Sequence, residues 1–219
     1  MPTPERRRLE PPEKVVRVSR RTEEDNDVER AVLDALERVL ADVSVHQLSV
    51  ERILREAGTS RATFYRNFNS KWSVIAAALE RAVIELFDSA ESFLAPPPDE
   101  DPVDVLSRAM TDIVDVYKRH RRVFRAAMQY WHTIPELRGL WLHFLDQQIA
   151  ALTAFIEQQR ALGKAVAGPP ADELARVLVW TAVHSFITAA ATYDDDPDAE
   201  LRVVPGVAHL WALAIYGRA

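Results

Sequence analysis

The sequence predicts an all-α protein, and three observations support that fold class. Only six of the 219 residues are glycine, which leaves few residues for tight β-turns or glycine-rich phosphate loops. Apolar residues recur at intervals of three and four along most of the chain, as the 3.6-residue period of an amphipathic helix requires. No segment alternates between polar and apolar residues with a period of two, so no strand is predicted.

Length and composition narrow the classes of protein further. A chain of this length forms one mid-sized domain, or a small domain joined to a larger one. It contains no cysteine, which excludes disulfides, thiolate catalysis and sulfur-ligated zinc. No apolar run reaches the roughly 18 residues of a membrane-spanning helix, and the N-terminus lacks the apolar core of a signal peptide. We therefore expect a cytoplasmic protein with no membrane partner, no metal site and no cofactor.

Charge is distributed unevenly along the chain. The net charge of −6, taken alone, argues against nucleic acid as a partner. Residues 1–71, however, carry fourteen basic and thirteen acidic side chains, whereas residues 72–219 carry thirteen and twenty. Basic side chains concentrate in residues 1–21 and again in residues 49–71. This asymmetry indicates that the N-terminal end faces nucleic acid; for residues 1–21 alone, a merely solubilising arm is an equal alternative.

The N-terminal region divides into an arm and a helix. Residues 1–22 lack periodicity and contain four prolines, so they are predicted to be a disordered basic arm. From Asp27 the apolar residues follow a helical period. Asn26 or Asp27 is expected to cap this first helix, because a short polar side chain can accept hydrogen bonds from the free amides of the first turn.

Three more helices are predicted from their capping residues. Ser49 opens a short second helix, and Gly58 ends it in the left-handed conformation. Ser60 caps a third helix over residues 61–68. Ser70 caps a long fourth helix that ends before a proline-rich loop.

Five further helical patterns follow that loop, which brings the predicted total to about nine helices. They cover residues 103–120, 121–131, 135–162 and 172–193, and a last segment from Glu200 or Pro205 to Tyr216.

Residues 48–71 have the layout of a helix-turn-helix, with a glycine turn between two short helices. Ile53, Ala57, Phe64 and Phe68 are predicted to form the small core that fixes the two helices at a steep angle. The polar face of the third helix carries hydroxyl, amide and guanidinium groups, which suit contacts with phosphates and base edges. The layout alone leaves open a plain helical hairpin with a solvated polar face.

The same segment resembles the helix-turn-helix of TetR-type transcriptional repressors. The residues that carry the resemblance, at fixed spacing, are Ser49, Val50, Ile53, Ala57, Gly58, Ser60, Thr63, Phe64, Tyr65, Phe68 and Lys71. Leu54 replaces an alanine of the family pattern, and Thr59 replaces a valine. The resemblance implies a three-helix DNA-binding domain over residues 23–72. It also implies a larger helical domain for ligand binding and dimerisation over residues 73–219.

DNA contacts follow from this resemblance. It implies contacts from Ser49, Val50, Thr59, Ser60, Arg61, Ala62, Thr63, Tyr65, Asn67 and Lys71. Arg66, on the polar face of the third helix, is a further candidate. Tyr65 and Lys71 are expected to hold phosphates, whereas Arg61 and Thr63 are expected to contact base edges. The basic residues Arg6–Arg8 would add phosphate or minor-groove contacts. A homodimer would set its two recognition helices about 34–36 Å apart on a palindromic operator of double-stranded DNA.

The C-terminal part looks like the mycobacterial ethionamide-repressor branch of that family. The residues that carry this likeness are Tyr117 with His120, Glu136-Leu137, Leu140-Trp141, Glu173-Leu174-Ala175, His209-Leu210-Trp211 and Ile215-Tyr216-Gly217. Gln148 and Val179 stand where that branch tends to carry an aromatic residue and a polar amide. The identity of the ligand therefore does not transfer.

Aromatic residues concentrate in the C-terminal helices, which suggests an apolar pocket with a few polar groups for a small apolar ligand. The candidate lining residues are Leu106, Met110, Ile113, Tyr117, Met128, Trp141, Leu145, Gln148, Val179, Val183, His184 and Trp211. Gln148 and His184 are expected to supply the hydrogen bonds. For any single aromatic residue, ordinary core packing is the favoured alternative.

The last two helices are expected to form the homodimer through small and apolar side chains, as in a four-helix bundle. The candidates are Leu178, Ala182, Ile187, Ala189–Ala191, Trp211, Leu213 and Ile215. Burial of these side chains within one subunit is the alternative.

The function indicated is that of a ligand-responsive transcriptional regulator, a repressor by resemblance. An enzyme is not expected, because the chain has no His-x₃-His pair of the metalloprotease type and no Gly-x-Ser-x-Gly motif. The competing hypotheses are a helical small-molecule-binding protein, or an enzyme, without DNA binding.

Overall fold

The computed structural model describes residues 23–94, 100–192, 196 and 198–217. Within these ranges the secondary structure consists of nine α-helices and one turn of 3₁₀-helix, Leu201–Val203, with no strand. The predicted all-α fold class is therefore confirmed. The predicted basic arm, residues 1–22, lies outside the described residues, as does most of the proline-rich loop.

The nine helices follow one another along the whole described chain. They are α1 (Glu23–Asp42), α2 (Val50–Ala57), α3 (Arg61–Asn67), α4 (Lys71–Leu94), α5 (Pro102–Arg119), α6 (Arg121–Tyr130), α7 (Pro135–Ala161), α8 (Ala171–Thr192) and α9 (Val204–Tyr216).

Helix α1 begins four residues before the predicted start. Asn26 and Asp27 therefore lie within the helix, and the expectation that one of them caps it is wrong. Asp27 instead accepts a hydrogen bond at 3.0 Å from Nη2 of Arg30, one turn along the helix. The residues ahead of Asn26 are acidic in sequence, and such residue types are favoured in a first turn because its free amides carry partial positive charge.

The caps predicted around the helix-turn-helix are confirmed. Ser49 Oγ accepts a hydrogen bond from the backbone amide of Arg52, and Ser60 Oγ accepts one from the amide of Thr63. Gly58 follows α2 with a φ of 64°, in the left-handed region that glycine adopts without strain. These local bonds set where α2 ends and where α3 begins.

The start of α4 and the ends of α7 and α9 also match the prediction. Ser70 Oγ accepts hydrogen bonds from the amides of Trp72 and Ser73. Gly163 and Gly217 follow α7 and α9 with φ values of 69° and 70°.

The N-terminal helices share a compact core. The side chains of Ile53 and Phe64 are fully buried, and Phe68 is nearly so. The rings of Phe64 and Phe68 pack with centroids 5.5 Å apart, and half-buried Ala57 packs against the same core. This core joins α2 and α3 to α1, so the orientation of α3 is determined by buried contacts.

The C-terminal helices pack around α4, which contacts α5, α6 and α7, while α8 packs on α7 and α9 on α5. Buried apolar residues from all nine helices form one continuous cluster. Protein interiors are close-packed and transmit strain, so a displacement of helices in one half of such a core shifts the residues that pack against them in the other half. No described helix combines the length and apolar character needed to cross a lipid bilayer.

Candidate nucleic-acid interface and ligand cavity

The outer face of α3 is exposed. Arg61, Ala62, Tyr65 and Arg66 all lie on it, and 48% of the Tyr65 surface remains accessible to solvent. The Tyr65 ring packs edge-on against the buried ring of Phe64, with centroids 5.3 Å apart. This contact holds the phenol on the core while its exposed surface faces outward.

The other predicted contact residues of α3 make bonds within the turn and the helix. Ser60 Oγ, which caps α3, lies 2.9 Å from Thr63 Oγ1. The side-chain amide of Asn67 donates to the carbonyl oxygen of Thr63 at 3.2 Å. Thr59, Thr63 and Asn67 are half-buried. The Thr63 hydroxyl contacts the cap at the start of α3, and Asn67 bonds back to the helix at its end.

Arg61 is paired with an acidic residue of the neighbouring helix. Its Nη2 donates to Oε1 of Glu51 at 2.6 Å, and both side chains are exposed. Bonds from the backbone amide and from Ser49, together with the charge of Arg61, hold the pKa of Glu51 below its ordinary value. Ser49 and Val50 are half-buried at the start of α2. The Arg61 guanidinium is therefore engaged by the carboxylate of Glu51.

Lys71 ties α4 to the loop between α1 and α2. Its Nζ donates to the carbonyl oxygens of Val45 at 2.9 Å and Leu48 at 3.0 Å, and lies 5.0 Å from the centre of the Trp72 ring. Burial lowers the pKa of Lys71 below its ordinary value. Two of the three N–H donors of the Lys71 ammonium are thus bonded to backbone carbonyl oxygens of the protein.

A polar network joins α1 to the C-terminal helices, with His120 buried and its partners half-buried. His120, at the end of α5, is only 7% exposed. Its Nδ1 lies 3.0 Å from Oε1 of Glu37 on α1, and its Nε2 lies 3.1 Å from Oε1 of Glu85 on α4. Arg81 of α4 donates to Glu37 and to Asp34, in both cases at 2.8 Å.

The charges in this network favour the ionised forms of His120 and Glu37. Burial acts to lower the pKa of His120, but the hydrogen bonds and charges of Glu37 and Glu85 outweigh it and raise that pKa above its ordinary value. Burial acts to raise the pKa of Glu37, but His120 and Arg81 outweigh it and lower that pKa. His120 therefore links three helices through Glu37 and Glu85, which favour its charged form.

A mainly apolar cavity of about 50 Å³ lies among α4, α5, α7, α8 and α9. Seven of the predicted ligand residues line it, namely Met110, Ile113, Tyr117, Gln148, Val179, Val183 and Trp211. The structure adds Leu86, Phe144, Ala182 and Phe186. Sequence reasoning missed these four because their apolar side chains do not differ in type from ordinary core residues.

A second cavity, of about 340 Å³, lies between α5, α6, α8 and the 3₁₀ turn. Its walls are Tyr117, Arg121, Phe124, Arg125, Met128, Gln129, Ile187, Ala190 and Glu200. Nε of Arg121 donates to Oε1 of the buried Glu200 at 2.7 Å. Met128 was predicted to line the first cavity but lines this one, and Tyr117 lines both.

Four predicted ligand residues line neither cavity. Leu106, Trp141 and Leu145 are buried in the core. His184 is exposed, stacks on the ring of Trp180 and donates from Nδ1 to the Trp180 carbonyl oxygen at 2.9 Å. The expectation that His184 hydrogen-bonds a ligand is therefore corrected, because this side chain lies on the outer face of α8.

The predicted dimer face is also revised. Leu178, Ala182, Ala189, Trp211 and Ile215 are buried within the subunit. The large apolar side chains that α8 and α9 expose are Val177, Leu210 and Leu213, with 61%, 43% and 44% of their surfaces accessible. Only the last of these three was among the predicted residues. Helical periodicity alone did not distinguish the inward face of either helix from the outward one.

Family comparisons match both halves of the chain. The model for bacterial regulatory proteins of the tetR family matches residues 32–78, and that for the C-terminal domain of the transcriptional regulator EthR matches residues 106–217. The HTH-type transcriptional regulator EthR of Mycobacterium tuberculosis (strain ATCC 25618 / H37Rv) is 31% identical over 193 residues, or 88% of each chain. EthR of Mycolicibacterium smegmatis is 30% identical over 193 residues, again 88% of each chain.

Solved structures share the fold at lower identity. SmeT, the repressor of a multidrug efflux pump of Stenotrophomonas maltophilia, superposes with a TM-score of 0.66 at 20% identity, covering 86% of this chain and 92% of its own. A TetR transcription regulator from Haloarcula marismortui superposes with a TM-score of 0.70 at 17% identity, covering 87% and 99%. At these sequence identities, the two solved structures show that this chain shares their fold, that is, the arrangement of the helices.

Proposed function

The chain belongs to the TetR family of transcriptional regulators, and from that premise we propose that it is a homodimeric repressor of a palindromic operator. A small apolar ligand in the C-terminal cavities would modulate its affinity for DNA. The observation that carries this proposal is the exposed face of α3, held by the Ser60 cap and the Gly58 turn. Since chromosomal DNA is its target, we infer that it acts in the cytoplasm.

We divide the candidate DNA contacts into three groups. Arg61, Tyr65 and Arg66 are exposed and can reach a duplex, so we assign them to base edges and phosphates. Ala62 allows close approach of the α3 backbone, and Thr63 contributes from a half-buried position. Ser49, Val50, Thr59, Ser60 and Asn67 flank the same surface.

Lys71 takes a different role in this proposal. Because its ammonium already bonds to Val45 and Leu48, it holds the loop ahead of α2 in position. Its contribution to DNA binding is therefore made through the orientation of the helix-turn-helix more than through a direct phosphate contact.

The homodimer would form through the outer faces of α8 and α9. On α8, Val177 and His184 share one face at helical spacing, and on α9 Leu210 and Leu213 do the same. Solvent-exposed apolar side chains grouped on neighbouring helices mark an association surface. A symmetric pairing of these faces gives a four-helix interface, which is a common arrangement for homodimers.

A route for ligand regulation runs along α5. Tyr117 lines both cavities, and His120, one turn later, holds Glu37 of α1. A ligand that displaces the end of α5 would alter this link and thereby the separation of the two recognition helices. Ligand binding changes DNA affinity only if the ligand prefers one of the two arrangements.

The test is an electrophoretic mobility shift with DNA from upstream of the protein's own coding sequence. We expect a palindrome-specific shift whose affinity falls steeply as salt rises, since Arg and Lys contacts displace counterions. Arg61→Ala should weaken specific binding. Binding that is absent, or insensitive to salt and sequence, would instead favour a helical small-molecule-binding protein or an enzyme without DNA binding.

A further inference from the structure

Glu51 places a carboxylate on the surface that the proposed function assigns to DNA. Residues 49–71 carry five basic side chains and two acidic ones, Glu51 and Glu56. Oε1 of Glu56 accepts a hydrogen bond at 2.5 Å from Nε of Arg38 on α1, whereas Oε1 of Glu51 accepts one at 2.6 Å from Nη2 of Arg61 on α3. Glu51 is therefore the acidic residue of this segment that is bonded to α3. Its negative charge needs an explanation, because the phosphates of DNA repel a carboxylate.

The stability of the fold does not explain the pair of Glu51 and Arg61. Their side chains have 57% and 62% of their surfaces accessible to solvent, and exposed ion pairs add little to the free energy of unfolding. The orientation of α2 against α3 is already determined by the buried side chains of Ile53 and Phe64. Both members of the pair remain open to a partner, so the bond between them affects what that partner can be.

The two members of the pair offer opposite hydrogen-bonding chemistry. The guanidinium of Arg61 is a planar fork of N–H donors, one of which is used by Glu51. Hydrogen bonds from its own backbone amide and from Ser49, together with the charge of Arg61, hold the pKa of Glu51 below its ordinary value. An ionised carboxylate can only accept hydrogen bonds. The pair therefore presents a fork of donors beside a fixed acceptor.

The base pairs of DNA differ in how well they match such a pair. In the major groove, a G·C pair presents the acceptors N7 and O6 of guanine, followed by the N4 amino donor of cytosine. An A·T pair presents the acceptor N7 and the donor N6 of adenine, followed by the acceptor O4 of thymine. A guanidinium bonded to N7 and O6 of guanine leaves its carboxylate partner beside the cytosine amino group. On an A·T pair, the carboxylate would instead meet the oxygen of thymine.

We propose that Arg61 and Glu51 together recognise one G·C base pair in each half of the operator, with Arg61 donating to guanine and Glu51 accepting from the cytosine amino group. This inference rests on the proposed function as a DNA-binding repressor and adds the base pair that the protein recognises. It makes Glu51 a specificity-determining residue. Because a homodimer has two-fold symmetry, the G·C pair occurs at two positions related by the centre of the palindrome.

The same geometry makes Glu51 a means of rejecting other DNA. A phosphate oxygen could bind Arg61 at any sequence, but it would be repelled by the carboxylate bonded 2.6 Å from Nη2 of that residue. At the matching base pair, the amino group of cytosine offsets this repulsion. Glu51 therefore lowers the affinity for unrelated DNA more than the affinity for the operator, which raises the ratio between the two.

The experiment selects duplexes from a library with a randomised central segment by binding to the full-length protein, and then sequences them. Selection is carried out with the native chain, Arg61→Ala and Glu51→Gln. Glutamine keeps the shape of glutamate but carries an N–H₂ donor as well as an acceptor, so it tolerates thymine O4. Glu56→Gln is the matched control, since it makes the same change on the same helix at a carboxylate bonded to α1.

We expect Arg61→Ala to abolish the preference for G·C at one symmetric pair of positions, and Glu51→Gln to relax the preference at the same two positions. Competition mobility shifts then compare the selected duplex with one that carries A·T at both positions. Glu51→Gln should reduce the ratio of the two affinities about fivefold, by tightening the A·T duplex more than the selected one. Glu56→Gln should leave this ratio unchanged.

Two results would overturn the assignment of the G·C pair. One is a relaxed position in Glu51→Gln that differs from the position lost in Arg61→Ala. The other is an equal effect of Glu51→Gln on both duplexes, which would reduce Glu51 to a general repulsion of DNA.

Failure of the proposed function gives a different result from failure of this inference. If the native chain enriches no sequence, both sequence-specific DNA binding and the recognition of the G·C pair are overturned. If it enriches a palindrome whose base preferences are the same in Glu51→Gln, only the role of the pair is lost. Circular dichroism of each variant verifies that the helices remain folded.

Discussion

Nδ1 of His120 lies 3.0 Å from Oε1 of Glu37, although the two residues are 83 positions apart in the sequence. This contact joins the end of α5 to α1 and so connects the helix that lines both cavities to the DNA-binding domain. Oε1 of Glu85 on α4 lies 3.1 Å from the other imidazole nitrogen, and Arg81 donates to the same Oε1 of Glu37 at 2.8 Å. The junction between the domains is thus an ionic network that can be tested by pH and by mutation.

The first prediction concerns the dependence of stability on pH. The pKa of His120 is raised in the folded protein, so its contribution is fully present below the ordinary value of 6.5 and is lost as pH rises through the folded value. The lowered pKa of Glu37 gives a contribution that is present above 4.5 and lost as pH falls. Urea denaturation at a series of pH values should therefore show a free energy of unfolding that declines from about pH 6.5 upward.

The second prediction isolates His120 as the source of that decline. His120→Gln should lower the free energy of unfolding by roughly 2 kcal/mol near pH 6, since two half-buried hydrogen bonds to charged groups are lost. It should also flatten the decline above pH 6.5. His209→Gln is the control, because His209 is exposed. If His120→Gln retains the native pH profile, the network does not titrate through this histidine.

The caps of the helix-turn-helix could be predicted because each depends on a few neighbouring residues. Ser49 and Ser60 accept hydrogen bonds from amides three positions ahead, and the amide of Gly58 donates to the carbonyl oxygen of Leu54, four positions back. Residue type and spacing were therefore sufficient. The His120–Glu37 contact could not be predicted in this way. It depends on how α5 is packed against α1, and no short-range pattern contains that information.

The ligand residues show the same limit within single helices. Val183 and His184 are adjacent on α8, yet Val183 lines the cavity and His184 lies at the surface. Consecutive helical residues point about 100° apart, so an error of one position moves a side chain from one face to another. Apolar periodicity identified the helices but did not resolve which neighbour each face contacts.

The third prediction concerns the Arg61–Glu51 pair on the DNA-binding surface. Glu51→Gln should tighten operator binding by up to about fivefold, because DNA no longer competes with a carboxylate for the guanidinium and an exposed ion pair is weak. Arg61→Ala should weaken binding. Mobility shifts at fixed salt measure both. The same substitution at Glu157, an exposed residue of α7, should leave operator affinity unchanged.

The fourth prediction tests the left-handed turn at Gly58. No atom lies within 4 Å of a Cβ added there, so Gly58→Ala meets backbone strain without a steric clash. The expected loss is about 1–2 kcal/mol in the free energy of unfolding. Gly139→Ala is the matched control, because Gly139 lies within α7 with open space around it and alanine favours helices. Equal effects of the two substitutions would mean that the conformation of Gly58 contributes nothing specific.

The fifth prediction distinguishes a structural Lys71 from a phosphate-binding one. Lys71→Met removes both hydrogen bonds and leaves the carbonyl oxygens of Val45 and Leu48 without this donor. Stability should fall by about 1–3 kcal/mol, and operator affinity should fall with it. Lys164→Met, in the exposed segment after α7, should change neither.

The salt dependence of DNA binding separates the two roles of Lys71. A lysine that neutralises a phosphate contributes about 0.9 to the slope of log affinity against log salt, whereas a lysine that orients the helix-turn-helix contributes little. Since the Lys71 ammonium faces two backbone carbonyls, we expect Lys71→Met to reduce affinity at every salt concentration by the same factor. A slope that drops by close to one unit would instead assign a phosphate to Lys71.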